Sequence, residues 1–94
     1  MITHTLTITG DGNPHPVSAT RILTKWFRFQ ATVGNAATVR IGDSATTSSV
    51  GWPLNSGAAL NVEPVTELSG FYDLSQIYAY VASGDSLLVA YFTG

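Results

Sequence analysis

Two histidines and no cysteine are all that this 94-residue chain offers as the base or thiolate of a nucleophilic enzyme. A serine or threonine nucleophile needs a base within hydrogen-bond reach. His4 falls in an alternating strand, His15 lies between Pro14 and Pro16, and no serine has the G-x-S-x-G surroundings of a nucleophile elbow. Paired carboxylates are the next chemistry to consider. Glu63 and Glu67 are the nearest pair, but Pro64 lies between them and nothing around them would raise a general acid's pKa. They read as solvated carboxylates beside a strand end. Asp11-Gly12-Asn13 resembles the start of a calcium loop but lacks the later oxygen ligands and the closing Glu, so a turn explains it better. Asp43, Asp73 and Asp85 each neighbour a turn or strand end, where Asp accepts hydrogen bonds from local backbone amides; a calcium site assembled from separate loops is the alternative. The expectation is a chain with no catalytic residue, no cofactor and no resident metal.

Binding chemistry is better represented. Trp26, Trp52, Tyr78 and Tyr80 are the aromatics least clearly assigned to a core. They could stack on sugars, anchor a protein interface or simply fill a sandwich. Arg21, Lys25 and Arg28 interleave with Trp26 and Phe27 like a nucleic-acid strip, but with Arg40 they are the only cations. Phosphate binding recruits a larger positive footprint, so no nucleic-acid partner is expected. Charged residues make up 11% of the chain, against about 25% in typical soluble domains. Polarity comes instead from Thr, Ser, Asn and Gly, whose groups cost far less to desolvate than ions. Such a surface is either that of a plain low-charge domain or one occupied by other subunits, as at the charge-depleted centres of interfaces.

The length is that of a single domain, residues 1–94, burying roughly 60–65% of its unfolded surface. Domains of this size without staples often gain stability from partners. Met1-Ile2-Thr3-His4-Thr5 does not open a signal peptide, and no apolar run approaches the ~20 residues of a membrane span. The expectation is a soluble protein made in a cytoplasm, with no membrane partner. The lack of cysteine fits a cytoplasmic assembly setting without excluding an extracellular one.

The elements that would position these residues are short strands. Ile2, His4, Leu6 and Ile8 alternate with four threonines, a period of two. Gly10 to Pro14 breaks this strand, and His15 to Ala19 reads as an edge strand beside prolines that cannot donate to a ladder. Between Ile22 and Val33 the core phase is Phe27, Phe29, Ala31 and Val33, with Trp26, Arg28 and Gln30 on the other side. A strand through Val39 and Ile41, an irregular connection closing at Val50 to Leu54, and a strand through Ala58, Leu60 and Val62 follow. Pro64 argues against continuing that strand centrally. Leu68, Phe71 and Tyr72 lead to a single helical turn at Asp73 to Gln76. Ser83-Gly84-Asp85 then joins two β-rich runs, which reads as an antiparallel hairpin. Its first strand puts Ile77, Ala79 and Val81 in the core and Tyr78 and Tyr80 opposite. Its second, Leu87 to Phe92, has no polar face; Leu87, Val89 and Tyr91 are core, while Leu88, Ala90 and Phe92 meet a sheet edge or another chain. No window carries helical spacing free of Gly or Pro. About seven or eight short strands without a long helix predict an all-β fold, a small antiparallel β-sandwich or jelly roll.

Val39-Arg40-Ile41-Gly42-Asp43-Ser44, then Gly51-Trp52-Pro53-Leu54-Asn55-Ser56-Gly57-Ala58-Ala59-Leu60, then Asp73-Leu74-Ser75-Gln76-Ile77-Tyr78-Ala79-Tyr80 resemble, in that order, small virion proteins of tailed bacteriophages. Among these they are most similar to capsid decoration, or cement, proteins. The resemblance spans roughly residues 37 to 92, and the first third of the chain does not share it. It implies a non-enzymatic β-sandwich on the outside of a phage head, commonly a homotrimer, bridging subunits of the major capsid protein. The unassigned aromatics and the apolar strand, rather than any family contact, make Trp26, Arg28, Trp52, Tyr78, Tyr80, Leu88 and Phe92 the expected partner-binding residues. The alternative expectation is a carbohydrate- or receptor-binding domain of a head or tail fibre, using Trp26, Trp52 or the Tyr78/Tyr80 pair.

Overall fold

Threonine alternating with apolar residues from Ile2 to Thr9 forms the strand its period demands, β1, with Thr3, Thr5, Thr7 and Thr9 exposed and His4, Leu6 and Ile8 turned inward. The computed structural model describes residues 2–61 and 71–93. The other strands are β2 (Pro14–Pro16), β3 (Leu23–Thr24), β4 (Phe27–Ala31), β5 (Val39–Gly42), β6 (Trp52–Leu54), β7 (Ala59–Asn61), β8 (Tyr72–Asp73), β9 (Tyr78–Tyr80) and β10 (Ser86–Thr93). A 3-10 turn, Leu74–Gln76, precedes β9 and is capped by the Asp73 carboxylate, which accepts from the Ser75 amide. It occupies the place where the sequence predicts a helical turn.

The strands form two four-stranded antiparallel sheets, β1-β10-β4-β7 (sheet A) and β2-β9-β5-β6 (sheet B), with β3 and β8 as a minor pair. The chain is a folded ribbon. β1 pairs with β10, β2 with β9, β3 with β8, β4 with β7 and β5 with β6, each strand meeting the one equally far from the other end. Wrapping that ribbon into two layers yields the strand order of an eight-stranded jelly roll. The fold is all-β and sandwich-like, as the turn spacing predicts; the two-residue strands β3 and β8 are too short to leave a signal in sequence.

Each sheet contributes one phase to a shared core. Phe27, Phe29 and Ala31 of β4 and Leu87, Val89 and Tyr91 of β10 meet Val39, Ile41, Leu54, Ala79 and Val81 of sheet B, with Val17 and Leu74 filling in beside them. Phe29 and Leu87 lose all contact with water. Phe27 packs edge-on against Tyr72 at 5.0 Å, and His4 stacks on Tyr91 at 4.8 Å along the inner face of sheet A. His4 therefore shares the apolar phase by lying flat against an aromatic ring.

Three expectations are corrected. The two runs flanking Ser83-Gly84-Asp85 are not a hairpin: β9 belongs to sheet B and β10 to sheet A. The turn itself is present, with Gly84 at φ 88° and the Asp85 amide donating to the Ala82 carbonyl at 2.9 Å, but it arches from one layer to the other. Val33 is 80% exposed rather than core, because β4 ends at Ala31 and the chain turns at Asn35, whose amide donates to the Thr32 carbonyl. Asp85 does not bond local amides: its buried carboxylate accepts from Ala36 N–H at 3.0 Å and Ala37 N–H at 2.9 Å, a contact across the fold. Val62, Glu63, Pro64, Glu67 and Leu68 lie outside the described residues.

Candidate functional site

The outer face of sheet A gathers four of the seven expected binding residues. Period two sends Leu88, Ala90 and Phe92 of β10 outward, and the register lays them beside β1 and β4 in rows. One row runs Thr7, Leu88, Gln30, Ala59; the next runs Thr5, Ala90, Arg28, Asn61. Leu88 is 42% exposed, Arg28 is exposed, and Ala90 is half-covered by its neighbours. Between β1 and β4 the face dips into an open hollow of ≈ 320 Å³ lined by Thr5, Thr7, Arg28, Gln30, Leu88 and Ala90. Among the described residues no carboxylate pairs with Arg28.

One end of this face is closed by an aromatic pair. Trp26 stacks on Phe92 with ring centroids 4.5 Å apart and planes 20° from parallel. The backbones beneath are held by Thr24, which is fully buried. Its hydroxyl lies 2.7 Å from the Trp26 carbonyl and 2.6 Å from the Phe92 carbonyl, and it accepts from the Trp26 amide at 3.3 Å. A threonine suits this position because the Trp26 carbonyl also accepts from the Phe92 amide at 3.4 Å, leaving the hydroxyl free to donate to the Phe92 carbonyl while it accepts from the Trp26 amide. Trp26 and Phe92 are therefore half-buried and fixed, while Leu88 and Arg28 present the exposed chemistry.

The other expected residues lie elsewhere. Tyr78 and Tyr80 point from the outer face of sheet B, which looks the opposite way, and are half-buried among Pro14, Pro16, Arg40 and Pro53. Arg40 donates to the Gly51 carbonyl at 3.3 Å, and its buried Nε has no partner among the described residues. Trp52 sits on the edge strand β6 opposite Ile41 and is 62% exposed at the rim of the sandwich. The structure thus divides the seven residues between two opposed faces and an edge. Gln30 and Ala90, expected on the outward phases of their strands, also belong to the sheet A face, together with Thr5 and Thr7, which were not among the expected binding residues; the period-two pattern places each outward, but only the register brings them together.

Among the described residues the carboxylates lie at turns and strand ends, and His15 lies on the edge strand β2. His15 Nε2 lies 2.6 Å from Asp11 Oδ2 in an exposed pair, and Asp11 Oδ1 accepts from the Asn13 amide at 2.9 Å, making the turn expected of Asp11-Gly12-Asn13. The Asn13 amide, then His15, hold the Asp11 carboxyl below its ordinary value. Asp43 accepts from the Ala45 amide at 2.9 Å. Asp73 is likewise held low, first by the Ser75 hydroxyl at 2.7 Å and then by the Ser75 amide at 3.0 Å, with Arg21 at 3.8 Å adding a minor effect. Among the described residues no three His, Asp or Glu side chains converge as a metal-ligand set.

No protein-family model, no characterised protein and no solved structure matches this chain. Function must be argued from the two faces themselves. Among the described residues no helix is long and apolar enough to cross a membrane. The segments that carry the resemblance to decoration proteins map onto β5, on β6 through β7, and on the 3-10 turn with β9, so they span both sheets.

Proposed function

We propose that this chain is a non-enzymatic structural protein of a bacteriophage virion that binds the outside of the capsid and stabilises it by bridging subunits of the major capsid protein. The observation that carries the reading is the outer face of sheet A, where Leu88 and Ala90 form an apolar centre ringed by threonines, Gln30 and Arg28, which has no carboxylate partner among the described residues. Threonine hydroxyls and an amide cost little to desolvate, so such a face suits burial against protein. Arg28 sets the chemistry of the partner. A guanidinium covered without a carboxylate or carbonyl to meet it is strongly destabilising, so the docked surface must offer an acceptor at that point.

Binding of this kind stabilises a shell because the protein engages the assembled lattice and not its separated subunits, adding binding free energy to assembly. The test compares purified capsids with and without the protein. The complete particle should withstand a higher disruption temperature, and Leu88→Asp, which places a charge at the centre of the face without touching the core, should abolish both binding and protection. Equal disruption temperatures would sink the proposal.

A second reading has one observation in its favour: Trp52, 62% exposed at the rim, is an aromatic surface of the sort that stacks on sugar rings. It predicts that Trp52→Ala abolishes retention on host glycans while Leu88→Asp leaves it intact. A glycan array without hits removes this reading.

A further inference from the structure

Exposed sheet edges invite pairing with another chain, and most natural edges carry a device against it. In the two four-stranded sheets, three of the four edges do. β2 holds Pro14 and Pro16, β6 has Pro53 at its centre, and β7 is three residues long among the described residues. β1 has none of these. It runs for eight residues, Ile2–Thr9, without proline, glycine, lysine, arginine or carboxylate, and among the described residues it has a neighbour, β10, on one side only.

Its outward hydrogen-bonding groups can be assigned from the ladder. Gly10 N–H donates to the Asp85 carbonyl at 2.9 Å in continuation of the β1–β10 register, while Thr32 N–H to Ser86 and Phe92 N–H to Trp26 continue the β10–β4 register. Bonded and non-bonded pairs alternate along antiparallel strands. The even residues of β1, among them His4, Leu6 and Ile8, therefore bond to β10. The amides and carbonyls of Thr3, Thr5, Thr7 and Thr9 point away from it, toward the open edge.

We propose that β1 pairs antiparallel with β1 of a second copy, joining the two A sheets into one continuous sheet. The register that employs all four outward threonines sets Leu6 against Leu6 on the two-fold axis, Thr5 against the partner's Thr7 and Thr3 against the partner's Thr9. In that register His4 faces the partner's Ile8. Apolar residues meet apolar or aromatic ones on the inner side, and threonine pairs, a favourable cross-strand combination, line the outer side. No like charges are opposed. With strands ~4.8 Å apart, the two Arg28 side chains, each on the third strand from the axis, lie ~24 Å apart, beyond the ~8 Å over which salt leaves charges visible to one another. The contact is isologous and closes at two copies. The trimer implied by the resemblance would need a different contact.

This inference concerns the chain alone in solution and does not rest on the virion reading. Sedimentation velocity of the full chain should show a species of twice the 9.9 kDa monomer mass. Amide hydrogen exchange should show Thr3, Thr5, Thr7 and Thr9 protected at concentrations where that species forms and unprotected on dilution. Thr5→Pro removes an outward donor that β10 does not use, and Thr7→Lys places a charge beside the axis on a solvent-facing position. Thr5→Pro should weaken dimerisation by about 10- to 100-fold through the two lost bonds, and Thr7→Lys by about fivefold, because the two lysines lie diagonally across the axis, with the far-ultraviolet circular dichroism unchanged in both. Should Thr5→Pro unfold the monomer, Thr7→Lys decides. A monomer at every concentration, a trimer, or a dimer indifferent to Thr7→Lys overturns the proposal.

Discussion

Replacing Asp85 by alanine removes the acceptor that ties the arch between the two sheets to the loop after β4. The carboxylate is 6% exposed and accepts from Ala36 N–H at 3.0 Å and Ala37 N–H at 2.9 Å; the same residue's backbone bonds Ala82 and Gly10. Beside it, Asn35 Nδ2 donates to the Ser86 carbonyl at 2.8 Å and Asn35 Oδ1 accepts from the Ser86 amide at 3.0 Å. Hydrogen bonds to a charged group contribute ~1.5–3 kcal/mol each. Ala36 and Ala37 are exposed residues, so water replaces part of what is lost and each bond is reduced to about 1–2 kcal/mol. Asp85→Ala should therefore cost about 2–4 kcal/mol, and Asp85→Asn, which keeps one acceptor, about half as much. In a domain of this size each kcal/mol moves Tm by roughly 4–8 °C, so the alanine variant should melt at least about 8 °C lower. Urea unfolding followed by tryptophan fluorescence measures the difference. A double-mutant cycle with Asn35→Ala should show coupling, because both side chains secure the same arch. An Asp85→Ala protein within about 0.5 kcal/mol of the parent would refute the reasoning, since surface substitutions away from structural features fall in that range.

Three further outcomes follow from single contacts. Gly10→Ala should be among the most destabilising loop changes, because its Cβ would fall 2.0 Å from the Ala82 carbonyl oxygen, and backbone on both sides would have to move; thermal melts compare it with Gly12→Ala, where nothing lies within 4 Å and only the positive φ is at issue. Asp73 has a folded pKa below its ordinary 3.8, so its contribution to stability is full above that value and is lost as pH falls through it toward the folded pKa; Ser75→Ala should raise the Asp73 midpoint, as followed by carboxyl NMR shifts. Thr24→Val should destabilise by about 1–3 kcal/mol, the cost of leaving buried polar groups unpaired, and should change Trp26 fluorescence by loosening its stack on Phe92.

Sequence carries local geometry well and long-range pairing poorly, and particular residues show where the line falls. The alternation of β1, the inward phases of β4, β9 and β10, and the capped turn at Asp73 all follow from period and capping chemistry alone. At Ser83-Gly84-Asp85 the residues specify that the chain reverses but not whether the next strand stays in the same sheet. That choice depends on Asp85 meeting the amides of Ala36 and Ala37, 49 and 48 residues away. Val33 fails for a related reason: period two continues in the sequence after the strand has stopped. At the candidate site, the outward phase of Arg28, Leu88 and Phe92 can be read from each strand separately. Their adjacency cannot, because it arises from the β10–β4 register that the ribbon topology imposes. Tyr78 and Tyr80 have the same outward phase and land on the opposite side of the molecule.

The β10 strand, apolar on both sides, now has a physical account that also limits how tightly the face can bind. As an inner strand of sheet A, β10 has its inner phase in the core, while Thr5, Thr7 and Gln30 flank its outer phase and Trp26 covers Phe92. The uncovered remainder is chiefly Leu88 at 42% exposure. Completing the burial of a leucine exposed to that degree contributes about 1 kcal/mol, less than a tenfold gain in affinity. A single copy docking through this face should therefore bind weakly even with Arg28 paired. Joining two faces through β1 changes that, because the second contact becomes intramolecular and gains from effective concentration. The dimer should hold a lattice about 100-fold more tightly than a monomer made by Thr3→Pro, which removes another outward β1 amide and lies outside the hollow that holds Leu88 and Arg28. Cosedimentation with capsids over a concentration series measures the ratio. Equal affinities would mean that each face binds independently and that dimerisation, if present, serves some purpose other than bridging.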